Sequence, residues 1–577
     1  MATSNSLTSS DATSALKEKD VDAFREPPSP ARSVNNDAAD CEEPIKTETD
    51  TEASKEKEAE EEYPKGIKLL IISLALCLSV FLVALDNTII ATAIPKITDH
   101  FKALNDVGWY GSAYLLCTCA FQLLFGKIYT FYSVKWTFLT AIFIFELGSL
   151  ICGAAPTSTA LIVGRAVAGL GCAGIFSGAL IIVAHAVPLR QRPIYTGFIG
   201  AMYGIASVAG PLMGGAFTDH LSWRWCFYIN LRYEVNELSA IGAVTMVAIA
   251  VFFKGPKTRE DNLGFWARFK QFDFWGTLVF MPAIVCLLLA LQWGGSKYAW
   301  KSGQVIALLV IFFVLIIAFI VIQFRKGDQA TLPPRILKQR SVAFGSWYSA
   351  CTGAAFLLTV FFIPIWFQAI KGVSATKSGI MNLPLILSLV IASVLAGGAV
   401  TAIGYYTPFM IAGTILMAIG AGLLSTFRVN TGHAMWIGYQ VLFGLGVGMG
   451  MQQPLMAVQA VLDISDVPVG TSVIVFAQTL GAALFISIGQ NVLTNRLVSG
   501  LLETVPSLDP SIVLQTGATS LKNAIDPKYL SGVLIVYNRA IDQTFYVVTA
   551  MACLTIIGSL GMEWKSVKGK KVEAAAA

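Results

Sequence analysis

Apolar stretches of about 20 residues recur along this chain, each closed by a short polar or basic segment. A helix of that length and character crosses the hydrocarbon core of a bilayer, so each stretch predicts a membrane span. Fourteen are expected. The first six lie near 68–95, 108–129, 137–155, 159–184, 194–217 and 239–253. Two more lie near 274–293 and 303–323, and the last six near 343–369, 379–401, 407–427, 434–459, 468–491 and 542–562. An even count puts both termini on one side of the membrane.

Composition supports this pattern. Of the 577 residues, 55% are hydrophobic and 13% are charged, against roughly 25% charged in a soluble domain. The expected fold class is an all-α polytopic membrane protein. Linkers at 254–273 and 324–342 divide the spans into six (65–253), two (274–323) and six (343–562), and a basic tail (563–577) follows.

Charge is unevenly spread. Residues 1–64 hold 17 acidic and 7 basic side chains, a net of −10, so the remainder carries +15. That leading segment has too little apolar surface to offset its ordering entropy and is expected to be disordered. Basic residues follow alternate spans: Arg190 and Arg192 after the fourth, Lys254, Lys257 and Arg259 after the sixth, Arg325, Lys326 and Arg335 after the eighth, and Lys565 and Lys568 after the fourteenth. Positive charge marks the cytoplasmic side, so both termini are expected there and the polar loop 492–539 outside. The sixth span is short, because the polar segment Arg232–Ala240 interrupts it. An exposed loop insertion and a gene-model artefact both fit, and sequencing the transcript separates them.

Among the charges within spans three stand out: Asp86, Glu146 and Arg165. Such residues are costly in lipid and mark partners or pathways. Asp86 lies 9 residues before Pro95, Glu146 8 before Ala154 and Arg165 7 after Ser158. At 1.5 Å per residue all three sit roughly 10–14 Å below the outer boundary, so either carboxylate is placed to neutralise Arg165. In the fifth span, Gly204, Gly210, Pro211, Gly214 and Gly215 form a glycine–proline run. Proline bends a helix and glycine lets a neighbour approach closely. With Gly200, the run predicts one bare helical face and a kink at the depth of the three charges.

Other chemistry is not indicated. Gly169-Leu-Gly171-Cys-Ala-Gly174 matches a dinucleotide pattern, but it sits inside an apolar helix without the strand–turn–helix context. No phosphate-binding loop of the G-x-x-x-x-G-K-[ST] type occurs, which argues against an ATP-driven pump. The ten cysteines and four histidines are not spaced as metal ligands,. No metal, no cofactor and no nucleic-acid partner are expected, and the protein is not expected to be an enzyme.

Five segments resemble motifs of the major facilitator superfamily, specifically its fungal fourteen-span drug:proton antiporters of the toxin-efflux type. They are Leu85-Asp86-Asn87-Thr88 through Pro95 in span one, Gly126-Lys127 through Lys135-Trp136 after span two, and Arg165-Ala-Val-Ala-Gly169 in span four. The run from Gly204 to Gly215 resembles the antiporter motif, and Trp223-Arg224-Trp225 through Leu231 resembles the segment after it. The likeness covers about residues 66–563. Thr130 stands where the loop motif commonly has an acid, which argues against a charge-based latch there, although Lys127 and Lys135 remain.

The resemblance implies that the groups 65–253, 274–323 and 343–562 are an N-terminal six-helix bundle, an extra helix pair and a C-terminal six-helix bundle. It implies a secondary transporter with no covalent chemistry, exporting a hydrophobic small molecule by proton antiport with alternating access. It also implies a monomer, in the plasma membrane, with vacuolar or vesicle membranes as alternatives. Asp86 and Arg165 are the expected proton-linked pair, with Glu146 modulating it. Trp109, Tyr114, Gln122, Phe361, Phe362, Trp366, Gln440, Gln452, Gln453 and Gln478 are the candidate cavity lining, suited to a bulky, weakly polar ligand. A same-fold importer, for instance of a siderophore, and a transport-inactive receptor are the rival readings.

Overall fold

A computed structural model describes residues 63–102, 106–230, 241–255, 273–295, 298–515, 521 and 525–568. The expectations for the leading acidic segment, the 232–240 interruption and the basic tail beyond 568 lie outside the described residues.

A chain in hydrocarbon must satisfy every backbone polar group internally, so the apolar stretches wind into helices. The first six are α1 (Ile67–Phe101), α2 (Val107–Phe131), α3 (Val134–Ala154), α4 (Ser158–Ala186), α5 (Arg192–His220) and the short α6 (Ile241–Phe252). A hairpin follows, α7 (Phe274–Trp293) and α8 (Gly303–Lys326). The last six are α9 (Arg340–Trp366), α10 (Leu383–Ile403), α11 (Thr407–Leu424), α12 (His433–Gly450), α13 (Val467–Thr504) and α14 (Pro527–Gly561). Thirteen of these are long and apolar enough to cross a membrane, whereas α6 is shorter. The sixth expected span is thus a 12-residue helix among the described residues.

The two sets of six repeat one packing scheme. In the first set α3 packs on α4, α1 on α5, α2 on α4 and α1 on α6. In the second α11 packs on α12, α9 on α13, α10 on α12 and α9 on α14. Numbered one to six, both bundles pair third with fourth, first with fifth, second with fourth and first with sixth. They meet through α5 on α10 and α2 on α13, the second helix of each against the fifth of the other. This two-fold arrangement leaves the bundle interface as the one seam both halves share.

The tightest intra-bundle contacts rest on glycine. A Cβ at Gly148 of α3 would lie 2.3 Å from the Ala168 backbone nitrogen of α4, and one at Gly420 of α11 would lie 2.5 Å from that of Phe443 of α12. Both equivalent pairs, third on fourth, are therefore close because a side chain is missing.

The hairpin is held at its base. Asp273, buried before α7, accepts from the Gly276 backbone (2.9 Å), Gln323 of α8 (2.7 Å) and the Thr331 backbone (3.0 Å), and pairs with Lys326 (3.0 Å). Burial favours the neutral acid, but these donors outweigh it and hold the carboxyl below its usual range. One carboxylate thus ties the two helices to each other and to the linker that follows. Along its length α8 faces outward, with Ile306, Val310, Phe313, Val314 and Ile317 exposed, as suits a lipid-facing helix.

The glycine seams generate a test. Gly148→Leu should overpack the α3–α4 seam beyond the usual ~1–3 kcal/mol and remove the monodisperse peak in detergent size exclusion. Gly422→Leu, in open space on α11, should elute as the wild type.

Candidate functional site

Arg165 on α4 is fully buried, and so is Asp86 on α1; Nη1 of the arginine lies 2.5 Å from Oδ2 of the aspartate. Arg165 also donates from Nε to the Tyr110 carbonyl (2.8 Å), and its guanidinium lies 4.4 Å from the centre of the Tyr114 ring. Arginine stays charged at any relevant pH. Removing its counter-ion would leave a buried, uncompensated charge, which costs several kcal/mol. The pair is not saturated by the described residues, among which Asp86 Oδ1 and Arg165 Nη2 are buried without a hydrogen-bond partner.

Glu146 does not join the pair. It points toward α6, where a Cβ on Gly242 would collide with its carboxylate. Both its oxygens are buried without a hydrogen-bond partner among the described residues. The shared depth read from sequence holds three charges, but the bundle brings only two into contact.

The glycine–proline run lies on α5, but not on one face. Gly200 and Gly204 face the C-terminal half, against Gln452 and Val390, whereas Gly210 and Gly214 face α1, against Thr88 and Thr92. The expectation of a single bare face is corrected by helix geometry: six residues at 100° each carry Gly210 about 240° around from Gly204. Thr88, two residues beyond Asp86, donates to the Ala206 carbonyl of α5 (3.0 Å). The run therefore packs directly on the turn of α1 that carries the acid, and Gly215 lies near Thr376 of the other half.

Beside the pair, between the bundles, is a narrow cavity of about 100 Å³. Asn87, Tyr114, Thr118, Gln122 and Tyr203 line it from the first half, and Phe356, Met451, Gln452 and Gln478 from the second. No charged side chain is among them. Among the described residues, Gln122 has both amide atoms buried without a partner, and Gln452 has its Oε1 so. Small-molecule sites run to 300–1,000 Å³, so this conformation is constricted and a bulky ligand requires the bundles to part. Tyr114 belongs to both features, with its ring under the guanidinium and its edge in the cavity.

Four of the residues proposed from sequence line this cavity: Tyr114, Gln122, Gln452 and Gln478. The structure places the others elsewhere. Trp109 stacks near Trp293 of α7, and Phe361 is exposed on the outside of α9. Phe362 is buried within the second bundle. Trp366 donates to Asn538 (2.8 Å), Gln440 to the Met381 carbonyl (3.2 Å) and Gln453 to the Met449 carbonyl (3.0 Å). Sequence reasoning missed Asn87, Thr118 and Tyr203. Asn87 follows the acid and Tyr203 precedes Gly204, so both stood next to recognised signals.

At the basic face, where α5 begins and α8 and α14 end, the seam is closed. Gly126 of α2 packs on Ser472 of α13, and a Cβ at Gly397 of α10 would lie 2.5 Å from the Pro193 carbonyl. At the other end of α5, a Cβ added at Gly215 or Gly379 would meet its nearest cross-seam neighbour only at 3.9 Å. Charges reinforce the closed end. Buried Lys127 donates to the Asp328 carbonyl (3.4 Å), and Arg335 pairs with Asp328 (3.4 Å) and with Asp466 before α13 (2.8 Å). The linker after the hairpin thus bridges α2 to α13. Thr130 does not rule out a charged latch as expected from sequence, because Asp328 of the linker and Asp466 of the second half stand near Lys127. Lys135, in contrast, donates to the Ala250 carbonyl of α6.

The family model for the Major Facilitator Superfamily matches residues 76–486. An MFS-type efflux pump of Arthroderma benhamiae is 63% identical over 513 residues, 89% of this chain and 94% of that protein. An aspyridones efflux protein of Neocamarosporium betae is 50% identical over 89% of this chain and 90% of that protein. Among solved structures, the proton:xylose symporter XylE aligns with 87% of this chain and 98% of its own at a TM-score of 0.54 and 13% identity, a likeness of fold. The chain belongs to the major facilitator superfamily. It is a multi-pass membrane transporter of the efflux type and not an enzyme.

The closed end of the seam is testable. Arg335→Ala should raise labelling of a Ser472→Cys reporter by a membrane-permeant maleimide about two- to fivefold, the shift expected from losing exposed pairs worth ~0.5–1 kcal/mol. Unchanged labelling would mean that packing alone closes this end.

Proposed function

We propose that this protein exports a hydrophobic small molecule, a secondary metabolite or drug, in exchange for protons. The basic face and both termini are then cytoplasmic, and the membrane is the plasma membrane. The observation that carries this reading is the placement of a buried Asp86–Arg165 pair against a neutral, aromatic- and amide-lined cavity at the bundle seam. The aspyridones efflux relative supports a substrate of secondary-metabolite type. An importer of an anionic chelate would need cationic groups at the cavity, and none lines it.

The chain's own residues supply the coupling in this account. With Asp86 ionised, Arg165 is compensated and α1, α2 and α4 are held together through Tyr110 and Tyr114. Protonation of Asp86 removes the counter-charge and leaves the guanidinium the near Tyr110 carbonyl (2.8 Å) and the more distant Asp86 carbonyl (3.5 Å), so its hold on α1 weakens. Tyr114 transmits that change to the cavity because its ring contacts both. Glu146, unpartnered against α6, is a second carboxyl that biases the same layer. The Gly210–Pro211 turn lets α5 tilt on α1 while Gly200 and Gly204 stay against the other half, and alternating access follows as one bundle rocks on the other.

In vesicles with an imposed pH gradient, the wild type should drive extrusion of a hydrophobic dye. Asp86→Asn at equal expression should lose at least about tenfold of the gradient-driven rate, a barrier change of ~1.4 kcal/mol or more. Unchanged coupling would sink the proposal. Pro211→Ala should impair efflux with little loss of expression, and normal efflux would return the run to ordinary packing; Gly214→Leu, whose Cβ would lie 2.7 Å from the Ile89 carbonyl of α1, should instead overpack that seam,.

A further inference from the structure

A second and larger space lies away from the bundle seam, between α13, α14 and the far end of the α7–α8 hairpin. Its volume is about 900 Å³, and no residue assigned a role above lines it. Its chemistry is graded along α13, with Phe485 and Ile488 at one end and Asn495, Arg496 and Ser499 at the other. The antiparallel α14 repeats the gradient from Met551 and Ala550 to Tyr546 and Gln543. Fourteen residues separate Phe485 from Ser499, about 21 Å of helix.

The hairpin turn fixes where this gradient sits in the membrane. A Cβ at Gly295, in the turn after α7, would lie 2.0 Å from the Asn491 side-chain oxygen. Residues beyond Asn491 on α13 therefore stand at or past the level where α7 leaves the hydrocarbon. The apolar end of the groove is at acyl-chain depth and the polar end at headgroup depth. Trp300 and Tyr546, which also line it, are of the type that collects at that boundary. Arg496 is exposed, it forms no ion pair with any described residue, and no acid lines the groove.

We propose that this groove seats one phospholipid from the leaflet opposite the basic face. Its phosphate lies on the Arg496 guanidinium, whose planar fork matches phosphate oxygens, with the Asn495 amide beside it. An acyl chain runs along Phe485, Ile488 and Met551 toward the middle of the membrane. Leu291 and Trp300 of the hairpin form the facing wall, so the lipid packs between the hairpin and the second bundle. An anion without tails lacks the apolar half of the site, and a tail without phosphate lacks the charged half.

Delipidated full-length protein, titrated with dioleoyl phosphatidylserine and read by native mass spectrometry, tests this. A saturable one-to-one adduct is expected. Dioleoylglycerol, with the same tails and no phosphate, should bind about tenfold more weakly or worse, and inorganic phosphate should not compete. Arg496→Gln should weaken the adduct about tenfold, as loss of a charge-assisted contact does. Ala550→Trp should abolish it by filling the deep end, with both variants eluting as the wild type. Equal binding by wild type and Arg496→Gln would overturn the proposal, as would competition by phosphate or adducts that accumulate without saturating.

Discussion

A guanidinium with no access to solvent, Arg165, is the constraint on which the first bundle depends. It cannot discharge itself, so its surroundings must compensate it wherever α4 lies. Compensation comes from three places: the Asp86 carboxylate on α1, the Tyr110 carbonyl on α2 and the Tyr114 ring one turn further along α2. One side chain thereby sets the relative height and rotation of three helices. Because α5 packs on α1 through Gly210, Thr88 and Gly214, the same constraint reaches the helix that meets the other half.

The two-fold packing scheme explains why that local constraint has a consequence at the seam. Each bundle touches the other through its second and fifth helices, and the first bundle's second and fifth helices, α2 and α5, are both held by the neighbourhood of Arg165. At the seam α5 presents only glycine where Gly200 and Gly204 meet the side chains of Gln452 and Val390, and Lys127, Asp328, Arg335 and Asp466 bridge it at the basic face. The hairpin is more than an appendage in this arrangement. Its anchor, Asp273, fixes the start of the linker whose Asp328 and Arg335 span from one half to the other.

Thirteen of the spans were legible in the sequence, because length and hydropathy are local properties, whereas depth put Asp86 and Glu146 alike within reach of Arg165 and only the fold pairs it with Asp86. Orientation around a helix axis was less so. Trp366 and Gln440 were reasonable cavity residues by type, yet both turn into the second bundle to meet hydrogen-bond partners more than fifty residues away. The glycine run read as one face and proved to be two, since Gly204 and Gly210 are six residues apart. The latch acids were invisible for a different reason. Asp328 and Asp466 lie roughly two hundred and more than three hundred residues from Lys127, and only the folded seam brings them near it. The graded groove on α13 and α14 left a faint trace, the polar Asn491, Asn495 and Arg496 at the end of a span, but its depth came from the hairpin turn.

The central claim is that Asp86 is the carboxyl that gains and loses a proton beside Arg165. Infrared difference spectra of the purified protein between neutral and acid pH measure this without knowledge of the substrate. A carboxylic-acid C=O band at the position of a group held out of water should appear in the wild type and in Glu146→Gln, and be absent from Asp86→Asn. A band that survives in Asp86→Asn and disappears in Glu146→Gln would contradict the account.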